Sequence, residues 1–429
     1  MKIIGIDIGT TSICAVVTDA DSGELIASVS APNRAFFVSD KPFEKIQDPA
    51  VIMSTVRELI SSLGTHDAAA IGFSGQMHGI LYTDSCGKAV SPLYIWQDER
   101  AAQPYMDGKT YAEFLGCFPG YGLATDFYNE VNGLIPDNAE YLCTIADYAA
   151  MQLCGNSKPV MHITNAASLG CFDVKSNRFT LKNDRLPEVT TKFKAVGKCK
   201  GIPLCTALGD NQASFIGSVR EPSNALLNVG TGAQISWLTD NADGSGVEIR
   251  AFDGKRYLAA GCSLCGGRAF AMVEKLFRSA AQLAGAGCDS FYPMLDRLLA
   301  DKTATDLVAD CRFCGTRSDP TVRGAFSSVS ESNFTVGDIA LAVMNGMVAE
   351  LHDMYTAAGG GARGIVCSGN GVRRNPVLQR VISSAFDSAI KIPRYEEEAA
   401  YGAALAASVA CGINADIDSA RSKIKYTGE

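Results

Sequence analysis

Two stretches of this chain repeat one pattern of apolar and polar positions. Ile3 to Asp19 sets β-branched and apolar residues on both sides of a polar turn, Asp7-Ile8-Gly9-Thr10-Thr11-Ser12, which predicts two strands joined by a chemically unusual turn. The pattern returns near mid-chain, where Ala225 to Leu238 again places Gly230-Thr231-Gly232 between two apolar runs. Repetition at about half the chain length predicts two domains of like fold, 1–218 and 219–429.

Other segments fill in the layers. Ala69 to Ser74 reads as a buried strand, and the spacing of Leu142, Ile145, Ala149 and Leu153 predicts a helix from Ala139 to Leu153. Helical periodicity also covers Ala269 to Ala284 and Val336 to Ala358, the second stopped by Gly359-Gly360-Gly361. Ile365 to Gly371 reads as a strand entering a glycine-rich turn, followed by a helix from Val377 to Phe386. Strands alternating with helices place the fold in the α/β class.

Composition narrows the function. With 429 residues, 47% hydrophobic and 20% charged, the chain has apolar material for two cores. A net charge of −8 without runs of Lys or Arg argues against a nucleic-acid partner. Asp7 interrupts the region where a signal peptide would stay apolar, and no stretch approaches ~20 apolar residues, so the expectation is a cytoplasmic protein with no membrane partner. The fifteen cysteines are scattered through apolar segments, as at Cys143, Cys154 and Cys171, and read mostly as reduced core thiols.

Phosphoryl transfer needs donors around phosphates, a divalent cation and a carboxylate that orients the attacking hydroxyl. The first Gly-Thr turn offers two of these: Asp7 could hold a hydrated Mg²⁺ while Thr10 and Thr11 supply donors, although Asp, Gly and Thr also make ordinary turns. A Walker-type loop is excluded, because the only Gly-Lys-Thr, at 108–110, has Gln103 where that motif needs glycine. Asp210 follows Gly209 next to the proposed domain boundary, where it suits either a general base or a plain helix N-terminus. Gln76-Met77-His78 follows a buried strand, and with Trp96-Gln97-Asp98-Glu99-Arg100 it gathers groups suited to a polyol. The turn Ser368-Gly369-Asn370-Gly371 is a candidate nucleotide site.

In their order along the chain, these motifs resemble those of the FGGY carbohydrate kinases. The match takes in Asp7 to Ser12, Ser74 to Gly79, Trp96 to Arg100, Gly209-Asp210-Asn211, Asn228 to Gly232, Gly315-Thr316-Arg317-Ser318-Asp319-Pro320 with Arg323-Gly324, and Ser368 to Gly371. The resemblance implies two actin-like (ribonuclease H-like) ATPase domains with an interdomain active-site cleft, using ATP, Mg²⁺ and a small sugar. It makes Asp210 the base and Asp7 the metal residue. It puts Gln76, Met77 and His78 in the sugar pocket with Trp96, Asp98, Tyr121 and Asn211. It places Thr10, Thr11, Gly230 and Thr231 at the phosphates, and Gly266, Gly369 and Asn370 at the adenosine. A homodimer is allowed for.

Within that family, Gln76-Met77-His78 is similar to the xylulokinase and sedoheptulokinase branches. Gly120 to Thr125, Thr144 to Tyr148, Thr164 to Ser168 and Ala207 to Asp210 resemble the sedoheptulokinases, so a seven-carbon ketose is expected first and xylulose second. Two positions depart from the family: Cys14 stands where Lys or Arg is usual, and Cys265 where Asn is frequent. Cys262/Cys265 and Cys311/Cys314 form two Cys-x-x-Cys pairs, but 45 residues lie between them against the ~15–20 of a Cys₄ zinc site, so free thiols are expected. The readings from other classes are a catalytically silent ATP-binding regulator and a cysteine-based zinc or redox protein.

Overall fold

β1 (Lys2–Ile8) and β2 (Ser12–Asp19) run antiparallel with Ile8 opposite Ile13, which leaves Gly9, Thr10 and Thr11 as the turn between them. β3 (Leu25–Pro32) continues this meander on the far side of β2. α1 (Pro49–Ser62) then carries the chain back so that β4 (Ala70–Gly75) can lie parallel to β1, a pairing that a tight turn cannot make. Asp48 starts α1 by accepting the Ala50 N–H at 2.8 Å, with Pro49 in the first helical position. These coordinates of the fold come from a computed structural model that describes residues 1–429 except Thr65, His66, Ser245 and Ser318. Ser318, part of one motif named above, therefore lies outside the described residues.

The segment expected to be helical from Ala139 begins instead as a short strand, Tyr141–Cys143, paired with Leu81–Thr83. α2 (Ile145–Cys154) starts only where the Thr144 hydroxyl accepts the Asp147 N–H at 3.3 Å. Threonine caps a helix better than it continues one, so the apolar spacing misread the first turn. α3 (Ile163–Ser168) follows, and β5 (Ala195–Cys199), β6 (Ile202–Cys205) and β7 (Leu208–Gly209) complete a first sheet of order β5-β6-β4-β1-β2-β3, with β7 also on β4.

After α4 (Asp210–Ser218) the design repeats. β8 (Ala225–Val229), β9 (Ala233–Thr239), β10 (Glu248–Ala251) and β11 (Tyr257–Ser263) pair antiparallel, with Val229 opposite Ala233 across the turn Gly230-Thr231-Gly232. α5 (Gly267–Leu283) and α6 (Val336–Ala357) intervene before β12 (Ile365–Ser368) lies parallel to β8. α7 (Pro376–Ala385) leads to β13 (Ile390–Lys391), and the sheet order is β10-β11-β9-β8-β12-β13. The helices expected in this half begin and end within two residues of their predicted limits.

Each sheet has one face on its own core. Ile4, Ile6 and Phe73 pack with Val56 and Leu59 in the first half, and Leu227 and Ile235 with Phe270, Leu341 and Met344 in the second. The other two faces share a central pair of helices. α8 (Glu398–Ala410), from the end of the chain, puts Ala404 and Ala407 against Ile3, Ala70 and Cys205 of the first sheet. α4 puts Phe215 and Ile216 against Leu226, Leu258 and Val366 of the second, with Tyr401 and Leu405 of α8 in the same cluster.

α4 and α8 cross at glycines. A Cβ on Gly402 would lie 1.9 Å from the Ala213 carbonyl oxygen, and one on Gly217 would lie 2.0 Å from that of Glu398. Backbone cannot yield as a side-chain tip can. Gly402→Ala is expected to cost about 3 kcal/mol, the upper end for overpacking, seen as a lower urea midpoint. Gly287→Ala, with open space around it, should change stability by less than ~0.5 kcal/mol.

Candidate active site

Asp7 stands near the end of β1, half-buried beside the Gly-Thr turn, with its Oδ1 accepting the Ser74 hydroxyl from β4. Burial pushes its carboxyl up to about 6 against that hydrogen bond, and the Glu397 carboxylate adds to the rise. Asp210 opens α4, where a helix N-terminus favours an acid. Burial nevertheless pushes it up to about 7, Asp7 raises it further, and the Asn211 N–H and Arg250 act the other way. Repulsion between the two acids favours a cation beside Asp7, whose carboxylate oxygens are the donor type that a hydrated hard cation takes.

Beside Asp210 a cavity of about 260 Å³ is lined by Met77, His78, Tyr121, Gln212, Glu248 and Arg250, among others. Asn211 Nδ2 donates to Asp210 Oδ1 at 2.9 Å and lies 3.3 Å from Met77 Sδ, which joins Asp210 to the pocket wall. His78 is held at φ +73°, a conformation unusual outside glycine, by its own N–H on Ser168 Oγ (3.1 Å) and its ring Nδ1–H on the Ser168 carbonyl (2.7 Å). That bond leaves Nε2 as an acceptor. The ring stacks on Tyr121 at 4.5 Å and 6°, and burial pushes the imidazole down to about 4, so it stays neutral. Gln212 Nε2 donates to the Ala251 carbonyl of β10 at 2.9 Å, while its buried Oε1 has no partner among the described residues. Such an acceptor needs a donor, which a hydroxylated ligand supplies.

The supports of this pocket are polar and buried. Thr164 Oγ1 accepts the Gly209 N–H at 3.2 Å, and Asn165 Nδ2 bonds Asp147 Oδ1 at 3.2 Å and the Ala207 carbonyl at 3.4 Å. Thr144 closes the chain on Asp147 Oδ2 at 2.7 Å, and burial holds that carboxyl up at about 7. The segments 144–148 and 164–168 thus set the turn that carries Asp210 and the backbone that carries His78.

The second Gly-Thr turn meets two other glycine-rich turns. Gly267 N–H donates to the Gly230 carbonyl at 2.9 Å and Arg268 N–H to that of Thr231 at 3.1 Å, so the start of α5 is fastened to the turn. A Cβ on Gly266 would lie 2.3 Å from the Gly232 oxygen. Gly369, at φ +87°, passes so close to Val229 that a Cβ would sit 2.7 Å from its oxygen, and Asn228 Nδ2 bonds Ser368 Oγ at 2.8 Å. Gly230, Thr231, Gly266, Gly369 and Asn370 therefore surround one place, with Thr231 and Asn370 exposed.

Other expected residues lie differently. Thr10 Oγ1 is engaged, accepting the Trp96 indole N–H at 3.0 Å and donating to Gln76 Oε1 at 3.3 Å, while Gln76 Nε2 bonds Gln47 Oε1 at 2.9 Å. Gln76 so ties the first turn to the sugar strand, and Thr11 and Trp96 stay exposed. Asp98 is not among the residues lining the cavity beside Met77 and His78, where it was expected. It is fully buried, and both oxygens are taken, Oδ1 by Arg100 Nε (2.7 Å) and Oδ2 by the Lys45 N–H (2.9 Å) and Arg100 Nη2 (3.1 Å). Cys14 is buried against Ala400, where burial and the Glu397 carboxylate push its thiol up. The two Cys-x-x-Cys pairs diverge: Cys265 and Cys314 lie 3.9 Å apart, whereas Cys262 donates to Gln234 and Cys311 to the Val343 carbonyl. Among the described residues no three His, Cys, Asp or Glu gather as a metal site.

The residues that sequence reasoning passed over are Gln47, Gln212, Glu248 and Arg250. Gln212 directly follows the motif Gly209-Asp210-Asn211, but Glu248 and Arg250 show only a charged face on a short strand, which nothing in the sequence connects to Met77.

Comparison with known proteins agrees with this geometry. The FGGY family of carbohydrate kinases matches residues 2–109 with its N-terminal domain and 230–411 with its C-terminal domain. The mouse sedoheptulokinase is 28% identical, the alignment covering 94% of this chain and 96% of that protein. A xylulose kinase of Staphylococcus epidermidis is 24% identical over 97% of this chain and 89% of its own length. The solved xylulose kinase of Rhodospirillum rubrum superposes with a TM-score of 0.84 at 20% identity, covering all of this chain and 93% of that one. The duplicated sheets are the two-domain actin-like α/β fold.

Asp98→Asn is expected to destabilise the protein by about 3 kcal/mol or more, because Arg100 would lose its buried partner. Thermal unfolding reads this, and the Michaelis constant for the acceptor in the surviving fold should stay within about twofold of wild type.

Proposed function

Since the chain belongs to the FGGY family of carbohydrate kinases and is an ATP-dependent sugar kinase, we propose that its acceptor is a ketose, sedoheptulose first and xylulose second, with Asp210 as the general base. The observation that carries this reading is the carboxyl at the start of α4, raised toward neutrality and joined through Asn211 to Met77 on the wall of a polyol-sized cavity. A base is most useful when its proton affinity lies near the working pH. Asp210 accepts the proton of the attacking hydroxyl, and Asn211 orients that carboxylate through Oδ1. His78, neutral, accepts a sugar hydroxyl at Nε2, and Tyr121 stacked behind it keeps the ring from turning.

Gly230 and Thr231 hold the phosphates from the second half, with Thr10 and Thr11 on the first, and Gly266, Gly369 and Asn370 take the adenosine. Asp7 holds Mg²⁺, which when bound neutralises charge on the transferring phosphate. Seven-carbon preference is supported by the sedoheptulokinase relatives, and by the place of 144–148 and 164–168 beneath the site rather than on an unrelated surface.

A coupled ADP-release screen of sedoheptulose, xylulose, ribulose, fructose and glycerol tests the substrate, and glycerol as the best acceptor would overturn the ketose reading. Asp210→Asn is expected to lower kcat by ~10²-fold or more with ATP and ketose still bound, and more than about a tenth of wild-type kcat retained would remove Asp210 as the base. Only the ionised carboxylate accepts a proton, so kcat/KM should fall on acidification through about pH 7 or below. A cation at Asp7 offsets the repulsion between the two carboxylates and moves this limb down. Replacing Asp7 should change the metal dependence, which replacing Asp210 should not.

A further inference from the structure

The ketose pocket is built mainly by the first half, yet one of its walls comes from an edge strand of the second. β10 presents Glu248 and Arg250 to the same cavity as Met77, His78 and Tyr121. Arg250 is almost fully buried. Its Nε and Nη2 bond Glu248 Oε2 at 3.0 and 2.6 Å, and Nη1 bonds Gln234 Oε1 at 3.2 Å. Arg317 takes the other Glu248 oxygen. An ion pair removed from water in this way is no gain over an apolar pair of the same size. Its presence on the wall of a pocket is accounted for by a ligand with several hydroxyls, since a carboxylate accepts and a guanidinium donates.

The position along the pocket says which part of the ligand it meets. Met77 and Gln212 mark the end next to Asp210, where the reacting hydroxyl must lie. The cavity runs from there past His78 and Tyr121, and Phe118 stands edge-on to Tyr121 at 5.4 Å. Phe118 and Glu248 also border a second cavity of about 1090 Å³, which continues under Cys262, Arg317 and Glu350. Glu248, held by Arg250, therefore sits at the junction where a short acceptor ends and a longer one would continue. The inner cavity alone holds about nine water volumes at ~30 Å³ each, and among the described residues its only charged lining is this pair.

We propose that Glu248 and Arg250 read the length of the acceptor, binding hydroxyls other than the reacting one. The proposal rests on the ketose-kinase reading and adds the residues that discriminate among ketoses. It also makes acceptor choice a property of both halves, because His78 belongs to one and Arg250 to the other.

The test compares xylulose, fructose and sedoheptulose, at saturating ATP and Mg²⁺, on wild type and on Glu248→Gln, Arg250→Lys and Arg317→Gln. Arg250→Lys keeps the charge on Glu248 and loses only the fork, and Arg317→Gln acts from the exposed side, so at least one variant tests the wall with the core intact. The ratio of kcat/KM for the seven-carbon to the five-carbon ketose is expected to change about tenfold or more in Glu248→Gln and Arg250→Lys, the loss of a charge-assisted hydrogen bond. Arg317→Gln should shift it less and in the same direction. The change should appear in the acceptor KM, with the KM for ATP unmoved. Ratios within about twofold of wild type in all folded variants, whether rates fall together or not at all, would make the pair structural and overturn the proposal. Wild-type protein that phosphorylates no ketose would sink the substrate reading itself, and this proposal with it.

Discussion

The close crossing of α4 and α8 is the constraint from which the rest of the architecture follows. Carbonyl oxygens of each helix occupy the space that a side chain would need at Gly217 and Gly402 of the other. The same helix α8 rests on the first sheet through Gly5 and Gly72, whose Cβ positions would fall 1.9 and 2.0 Å from the Ala400 and Ala403 oxygens. Two sheets are thereby held on one thin layer. Asp210 is the first residue of α4, so the crossing fixes where the carboxylate stands relative to β1 and Asp7. At the start of α8, Glu398 is bound by Arg373 at 2.7 Å, next to Glu397, whose charge reaches Asp7.

A site of this kind is costly to maintain. Asp7, Asp210 and Asp147 all lose hydration, and all three are pushed toward neutrality. The fold offsets this locally. Ser74 serves Asp7, Asn211 serves Asp210, and Thr144 with Asn165 serve Asp147. Because Asn165 and Thr164 also hold Ala207 and Gly209, the polar chain that stabilises a buried acid is the one that positions Asp210.

The doubled sheet was legible because a Gly-Thr turn between apolar runs needs a strand on each side, and that signal is local. The residues at the turns were legible for the same reason: Asp7, Asp210, Thr231 and Gly369 are each identified by the few positions around them. The surroundings of Asp98 were not legible, because a run of Trp, Gln, Asp, Glu and Arg reads as polyol chemistry, whereas its burial against Arg100 depends on Lys45 and Asn129 from distant segments. Arg250 was invisible for the opposite reason. A charged residue on a short strand reads as solvent-facing until the topology brings β10 against Gln212.

The return of α8 to the first sheet also sets an order of events during synthesis. The first sheet is complete at Gly209, and its covering helix begins at Glu398, about 190 residues later. At ~5–20 residues per second a ribosome needs roughly 10–40 s for that interval. Throughout it, the face formed by Ile3, Ala70 and Cys205 lacks the alanines of α8 that bury it. The nascent first half is thus an apolar-faced intermediate, and a transcript truncated anywhere before α8 yields a chain that never leaves that state.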